Sequence, residues 1–180
     1  MSDAASLEGW KPKFDHWVEK AVPFLKEGNP KKAFASYPFF TTEGDPFTKP
    51  SKPAKELRFA LITTGGYSIE GPQDPFNPAP IFDGSPAEVR VIPLDVDRSQ
   101  LRIDHFGYDH RFAEEDINVN LPLDRLTELA ELGEIGSIAD NTHVVMGLQP
   151  NVGPLLNQLI PDLVETLLAD DVNAVLLVPS

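Results

Sequence analysis

With 180 residues, of which 41% are hydrophobic and 24% charged, the chain can bury one sizeable core but not two ordinary domains. A net charge of −13 argues against nucleic-acid backbones and anionic membranes, whose recognition needs clustered Lys and Arg. Cysteine is absent, which excludes disulfides, thiolate metal sites and cysteine nucleophiles within these residues.

The first residues, Met1 to Glu8, carry no basic and apolar leader pattern, and no apolar run approaches the roughly 18 residues of a spanning helix. A cytoplasmic protein is expected. From about residue 10 to 35, Trp10, Phe14, Trp17, Val18, Ala21, Val22 and Leu25 fall on one helical face, with the aromatic residues expected to dock the segment onto the main body. Pro23 is expected to kink or end that helix, and Gly28-Asn29-Pro30 marks a turn. Residues 36–55 are rich in Pro, Thr and Lys and read as an extended connector. The expected division is therefore a helical extension with its connector over 1–55 and an α/β domain over 56–180, incomplete at its C-terminus.

Residues 56–64 read as a strand entering the turn Gly65-Gly66, and 88–93 as a second strand. The Pro/Gly/Asp-rich stretch from Glu70 to Ser85 is too broken for a crossover helix. Residues 122–132 form an amphipathic helix with Leu123, Leu126, Leu129 and Ala130 inward and Gly133 as its stop. A short strand follows at 135–138, then Asn141 to Gly147 as a polar loop, a longer helix over 154–168, and a buried parallel strand over 173–180. The order predicts an α/β fold: a three-layer, mostly parallel open sheet with an N-terminal helical extension.

In such a sheet ligands sit beyond the carboxyl ends of the strands. That places Thr63, Thr64, Tyr67 and Ser68 on the substrate-binding edge. Gly65-Gly66 lacks the spacing of a phosphate loop and suits a tight turn. The run Asp104-His105-Phe106-Gly107-Tyr108-Asp109-His110 is richer. Asp beside His can orient an imidazole or join it on a metal, so the run reads as an acid/base or substrate-positioning loop, a metal site or a self-satisfied polar loop. His105, Asp109, His110 and His143 are the candidate catalytic residues, and no metal is expected.

The Asp/His loop, then Asp116-Ile117-Asn118, Leu121 to Leu126, Gly133-Glu134-Ile135-Gly136-Ser137 and His143 to Gly147, taken in that order, resemble one family. It is the selenoprotein B subunits of glycine, sarcosine, betaine and D-proline reductases, over residues 57–180. The resemblance implies an oxidoreductase of amino-acid metabolism that cleaves a C–N bond reductively, with a thioredoxin-type dithiol as electron donor. It also implies a selenocysteine or cysteine directly after the strand that ends at Ser180, a residue this chain stops short of, as either reading a UGA codon as a stop or a degenerate paralogue would produce. No cofactor is implied in this chain; a pyruvoyl group on a partner subunit would activate the amine. A selenolate is ionised at neutral pH and nucleophilic, and the Asp/His loop would move the proton. From the residues alone, a non-catalytic α/β partner module and a metal-dependent hydrolase or lyase stay open.

Overall fold

A computed structural model of the chain describes residues 7–42, 44, 47–77 and 87–180. It divides into two compact units, Met1–Thr48 with Asn151–Gly153, and Lys49–Pro150 with Pro154–Ser180.

In the smaller unit, helix α1 (Leu7–Lys26) buries Trp10, Phe14, Trp17 and Ala21 at spacings that keep one face inward. Helix α2 (Pro30–Phe34) is capped by the Asn29 side chain, which accepts from the Lys32 N–H at 3.2 Å. Trp17 packs against Phe34 and Tyr37 at centroid distances of 5.2 and 5.0 Å, and its indole N–H donates 2.9 Å to the Ala33 carbonyl. These aromatic side chains thus make a core within their own unit. Helix α1 runs through Pro23 rather than stopping there. One missing N–H costs less than the buried aromatic face gains, and the stop falls instead at Gly28, whose φ is +72°.

The larger unit contains strands β1 (Arg58–Thr63), β2 (Tyr67–Ile69), β3 (Val89–Pro93) and β4 (Leu101–Ile103), then helices α3 (Arg111–Glu115) and α4 (Leu123–Glu131). Strands β5 (Ser137–Ile138) and β6 (Asn141–Val145), helix α5 (Ile160–Ala169) and strand β7 (Ala174–Val178) complete it. Strand β1 is central. It pairs in parallel with β7 on one side and with β5 and then β6 on the other, while β3 joins β6 antiparallel. The register moves from Phe59↔Ile138 to Ile62↔His143, so the segment between Ile138 and His143 is longer than its partner and bulges from β1. Arg58 fills the bulge, donating 2.8 Å to the Ile138 carbonyl and pairing with the Asp170 carboxylate at 3.1 Å beyond the end of α5.

On one face, Leu61, Ile138, Val144 and Ile92 pack with Leu123 and Leu126 of α4. On the other, Ala60 and Ala139 meet Leu167 and Leu163 of α5. Helices on both faces of a mostly parallel open sheet give the three-layer α/β fold that the sequence predicts. Helix α4 ends at Gly133 (φ +71°) with a pair of capping bonds, Gly133 N–H to Ala130 O and Glu134 N–H to Leu129 O. A π-helical turn, Leu155–Leu159, precedes α5. Pro161 has no N–H for the residue-157 carbonyl, and the backbone widens so that Ile160 N–H bonds Leu155 O instead.

Three further expectations need correction. Leu129 of α4 is not turned inward but exposed, since the buried face of this short helix is covered by Leu123 and Leu126. Asn141–Val145 is not a loop but a strand, with Thr142 and His143 buried in it. Strand β7 is not buried: among the described residues it pairs only with β1, and Val175, Leu176 and Leu177 are exposed, Leu177 at 67%. An unbroken apolar run marks a strand but not how many neighbours it has. The broken stretch from Glu70 is described only as far as residue 77, and its remainder lies outside the described residues.

Candidate functional site

The carboxyl ends of β1, β6 and β7 share one rim. Ser180 N–H donates 2.8 Å to the Thr64 hydroxyl, continuing the β7–β1 ladder in which Thr64 N–H donates 3.0 Å to the Val178 carbonyl. Gly65 and Met146 form an isolated bridge that draws the end of β6 beside them. The loop 104–110 lies over these ends, held by Asp104 N–H donating 2.8 Å to the Gly66 carbonyl.

His105 is the centre of the rim. It is only 5% exposed, and its ring packs 4.8 Å from Tyr108. Three glycines enclose it. An added Cβ at Gly66 would stand 2.9 Å from the His105 Cβ, and one at Gly107 would stand 2.8 Å from Cε1. One at Gly147 would lie 2.7 Å from Nε2 and 3.1 Å from both the Ser180 and the Thr64 carbonyl oxygens. The imidazole edge and two strand ends therefore converge on one bare α-carbon. Gly107 N–H donates 2.9 Å to His105 Nδ1, which must be unprotonated to accept it. The proton of the neutral ring then belongs on Nε2, the atom facing Gly147. Burial, with a smaller contribution from His110, holds the imidazole below its ordinary pKa and so keeps it neutral.

The other expected residues divide. His110 Nε2 bonds the His105 carbonyl and fixes the loop from behind. Asp109 is exposed and turned to Arg111, whose guanidinium holds its carboxyl below the usual range. Asp104 is bound by Arg102 at 2.8 Å and by the Ser68 hydroxyl at 2.6 Å. Neither aspartate orients an imidazole; backbone groups do that work. Among the described residues, no three His, Asp or Glu side chains gather as ligands for a metal, so the hydrolase alternative gains no support from this loop.

Of the expected substrate-binding residues, Thr64 meets the chain end. The Thr63 hydroxyl is committed inside, donating 2.6 Å to Asn120 O and accepting from Gly65 N–H. Ser68 belongs to the Arg102–Asp104 network. Tyr67 is a core residue, its hydroxyl buried beside Tyr108 and held protonated by that burial. His143 is not brought to His105: it lines a separate cavity with β3 and α5. Sequence reasoning missed Gly147, Gly107 and Tyr108, whose hydroxyl donates 3.1 Å to the Gly65 carbonyl. The Gly107-Tyr108 pair just after His105 carries no signal until the chain is folded.

Residues 19–180 match the family model for glycine/sarcosine/betaine reductase selenoprotein B. The chain belongs to this family. Among its relatives is the D-proline reductase subunit gamma of Acetoanaerobium sticklandii, 30% identical over 131 residues, or 73% of this chain and 52% of that protein. Another is the glycine reductase complex component B subunit gamma of Symbiobacterium thermophilum, 30% identical over 134 residues, or 72% of this chain and 29% of that protein. The chain thus spans about half the length of the first and under a third of the second. No solved structure matches it. In this selenoprotein B family member, no described helix is long and apolar enough to cross a membrane.

Two buried neutral histidines set a pH dependence. Burial lowers the pKa of both His105 and His143. Between those lowered values and the ordinary value near 6.5, the unfolded chain binds more protons than the folded one, so stability rises with pH. It is complete above about pH 6.5 and is lost as pH falls below it. Urea midpoints at pH 7.5, 6.5 and 5.5 should decline in that order. His143→Leu should flatten the decline, and an unchanged slope would contradict a buried neutral His143.

Proposed function

We propose that the chain is the α/β core of a selenoprotein-B-type reductase subunit, cleaving the C–N bond of glycine, betaine, sarcosine or D-proline at the expense of a dithiol. The convergence of His105 Nε2, Gly147 and the Ser180 carbonyl at the carboxyl ends of β1, β6 and β7 carries the proposal. In this reading a selenocysteine or cysteine directly after Ser180 is the redox residue, which none of the 180 residues supplies. The rim fits a chalcogen anion. His105 presents a neutral N–H, the glycines leave its approach open, and Thr64 fixes the strand end by accepting from Ser180 N–H.

When bound, a partner subunit's pyruvoyl group would supply the activation of the amine. The anion's electron pair forms a bond to the α-carbon as the C–N pair leaves with nitrogen. His105 Nε2–H is placed to hydrogen-bond the anion and to hand its proton to the departing amine. A dithiol sulfur then attacks the chalcogen, the chalcogen–carbon pair leaves with the carbon, which takes up a proton, and the second thiol displaces the chalcogen anion, so that the dithiol ends as a disulfide. His110 supports His105 through its carbonyl. Asp109 is paired with Arg111 and His143 lines a separate cavity, so neither takes part in these steps.

The test is the chain continued past Ser180 with the selenocysteine or cysteine, assembled with its partner subunits and assayed on the candidate substrates for release of ammonia, methylamine or trimethylamine, or, from D-proline, of the ring-opened 5-aminopentanoate. Dithiol-dependent release from one of them is expected, and it should vanish when the residue after Ser180 is alanine. Release that survives the alanine, or none from any substrate, contradicts the proposal.

A further inference from the structure

On the α5 face of the sheet, away from the rim residues, lies a cavity of about 340 Å³. Its apolar walls include Val89 and Val91 of β3 and Leu159 and Leu163 around the start of α5. Its polar groups are His143, Gln158, Asp162 and Thr166. The volume is at the small end of ligand pockets, and apolar walls with a few convergent polar groups are their usual composition. Two features make it more than a groove. His143 is only 5% exposed, makes no hydrogen bond at Nδ1 and lines this cavity. A buried polar atom without a partner is costly, and few native proteins keep one without a use. The π-helical turn Leu155–Leu159, just ahead of Pro161, contributes Gln158 and Leu159 to the lining, and such turns concentrate at functional sites.

We propose that this cavity is a second binding site, for a small organic ammonium ion with a short hydrocarbon body. The sign of the charge follows from the lining: Asp162 contributes a carboxylate, and no Lys or Arg stands among the described residues that line it. His143 is neutral and, with Nδ1 unpartnered, free to place its proton on either nitrogen and accept from the ammonium at the other. Val89, Val91, Leu159 and Leu163 take the hydrocarbon. The site is independent of the reductase reading, since it shares no residue with the rim.

The full 180-residue chain should be titrated with n-butylammonium chloride, following the imidazole resonances of His143 and His105 by NMR. Sodium butyrate and n-butanol serve as matched controls. A saturable shift at His143 and none at His105 is expected, with affinity in the millimolar range that so small a ligand can reach. The ammonium should bind about tenfold more tightly than butyrate. Asp162→Asn, at an exposed position, should weaken it about three- to fivefold. His143→Leu should weaken it further, its fold being checked by circular dichroism. Equal binding of butyrate, no saturable shift at His143, or an unchanged affinity in Asp162→Asn overturns the proposal.

Discussion

In the assembled reductase, replacing His105 with leucine should lower turnover about 10- to 150-fold while leaving KM for the amine nearly unchanged. The range is the rate equivalent of losing one hydrogen bond to a charged group, about 1.5–3 kcal/mol. Leucine suits the test because it fills the slot between Gly66, Gly107 and Gly147 without offering an N–H. The KM should hold because, in the proposed steps, the imidazole acts on the anion and the departing nitrogen rather than on the substrate's bound form. His105→Gln, which keeps an N–H of similar reach, should recover part of the loss. Turnover within about twofold of wild type in the leucine variant would remove His105 from the chemistry.

Gly147→Ala should be nearly as damaging although it adds one methyl group. That methyl would stand 2.7 Å from His105 Nε2 and 3.1 Å from two backbone carbonyl oxygens. The ring has little room to swing aside, because it is buried between Gly107 and Gly66, at either of which an added Cβ would already clash with it. The strain must go into the strand ends or push the imidazole off the rim. Overpacking of this kind costs about 1–3 kcal/mol. Urea midpoints should fall accordingly, and turnover should fall to near that of the leucine variant. A Gly147→Ala protein with wild-type stability and turnover would mean that the rim is looser than these distances state.

The elements legible in the sequence are those where period and punctuation agree. Leu123 and Leu126 are buried as their spacing requires, and Gly133 stops α4. The apolar run 58–63 is the central strand. Strand β6 is not legible, because Asn141-Thr142-His143 looks like solvent-facing sequence. Thr142 and His143 are buried by the neighbours β1 and β3 on both sides, which no local pattern reveals. The pair β2–β4 is three residues a side, too short for an alternation to register. At the site, His105 can be singled out but its partners cannot. Asp104 and Asp109 lie beside histidines in sequence, yet each has an arginine two residues away on a longer, more flexible arm, and those ion pairs form instead. The ring's orientation comes from the Gly107 N–H and from Gly147, far along the chain, and both depend on how the strand ends are brought together.

The proposed chemistry at the rim turns on His105 Nε2–H facing the end of β7. Because the chain contains no cysteine, a single cysteine added directly after Ser180 reports on that point without ambiguity. Its pKa, read from the pH dependence of iodoacetamide alkylation, should lie about one to two units below the ordinary value near 8.5, and His105→Leu should return it to that value. A thiol that titrates at the ordinary value, or one lowered equally with and without the imidazole, would contradict the account.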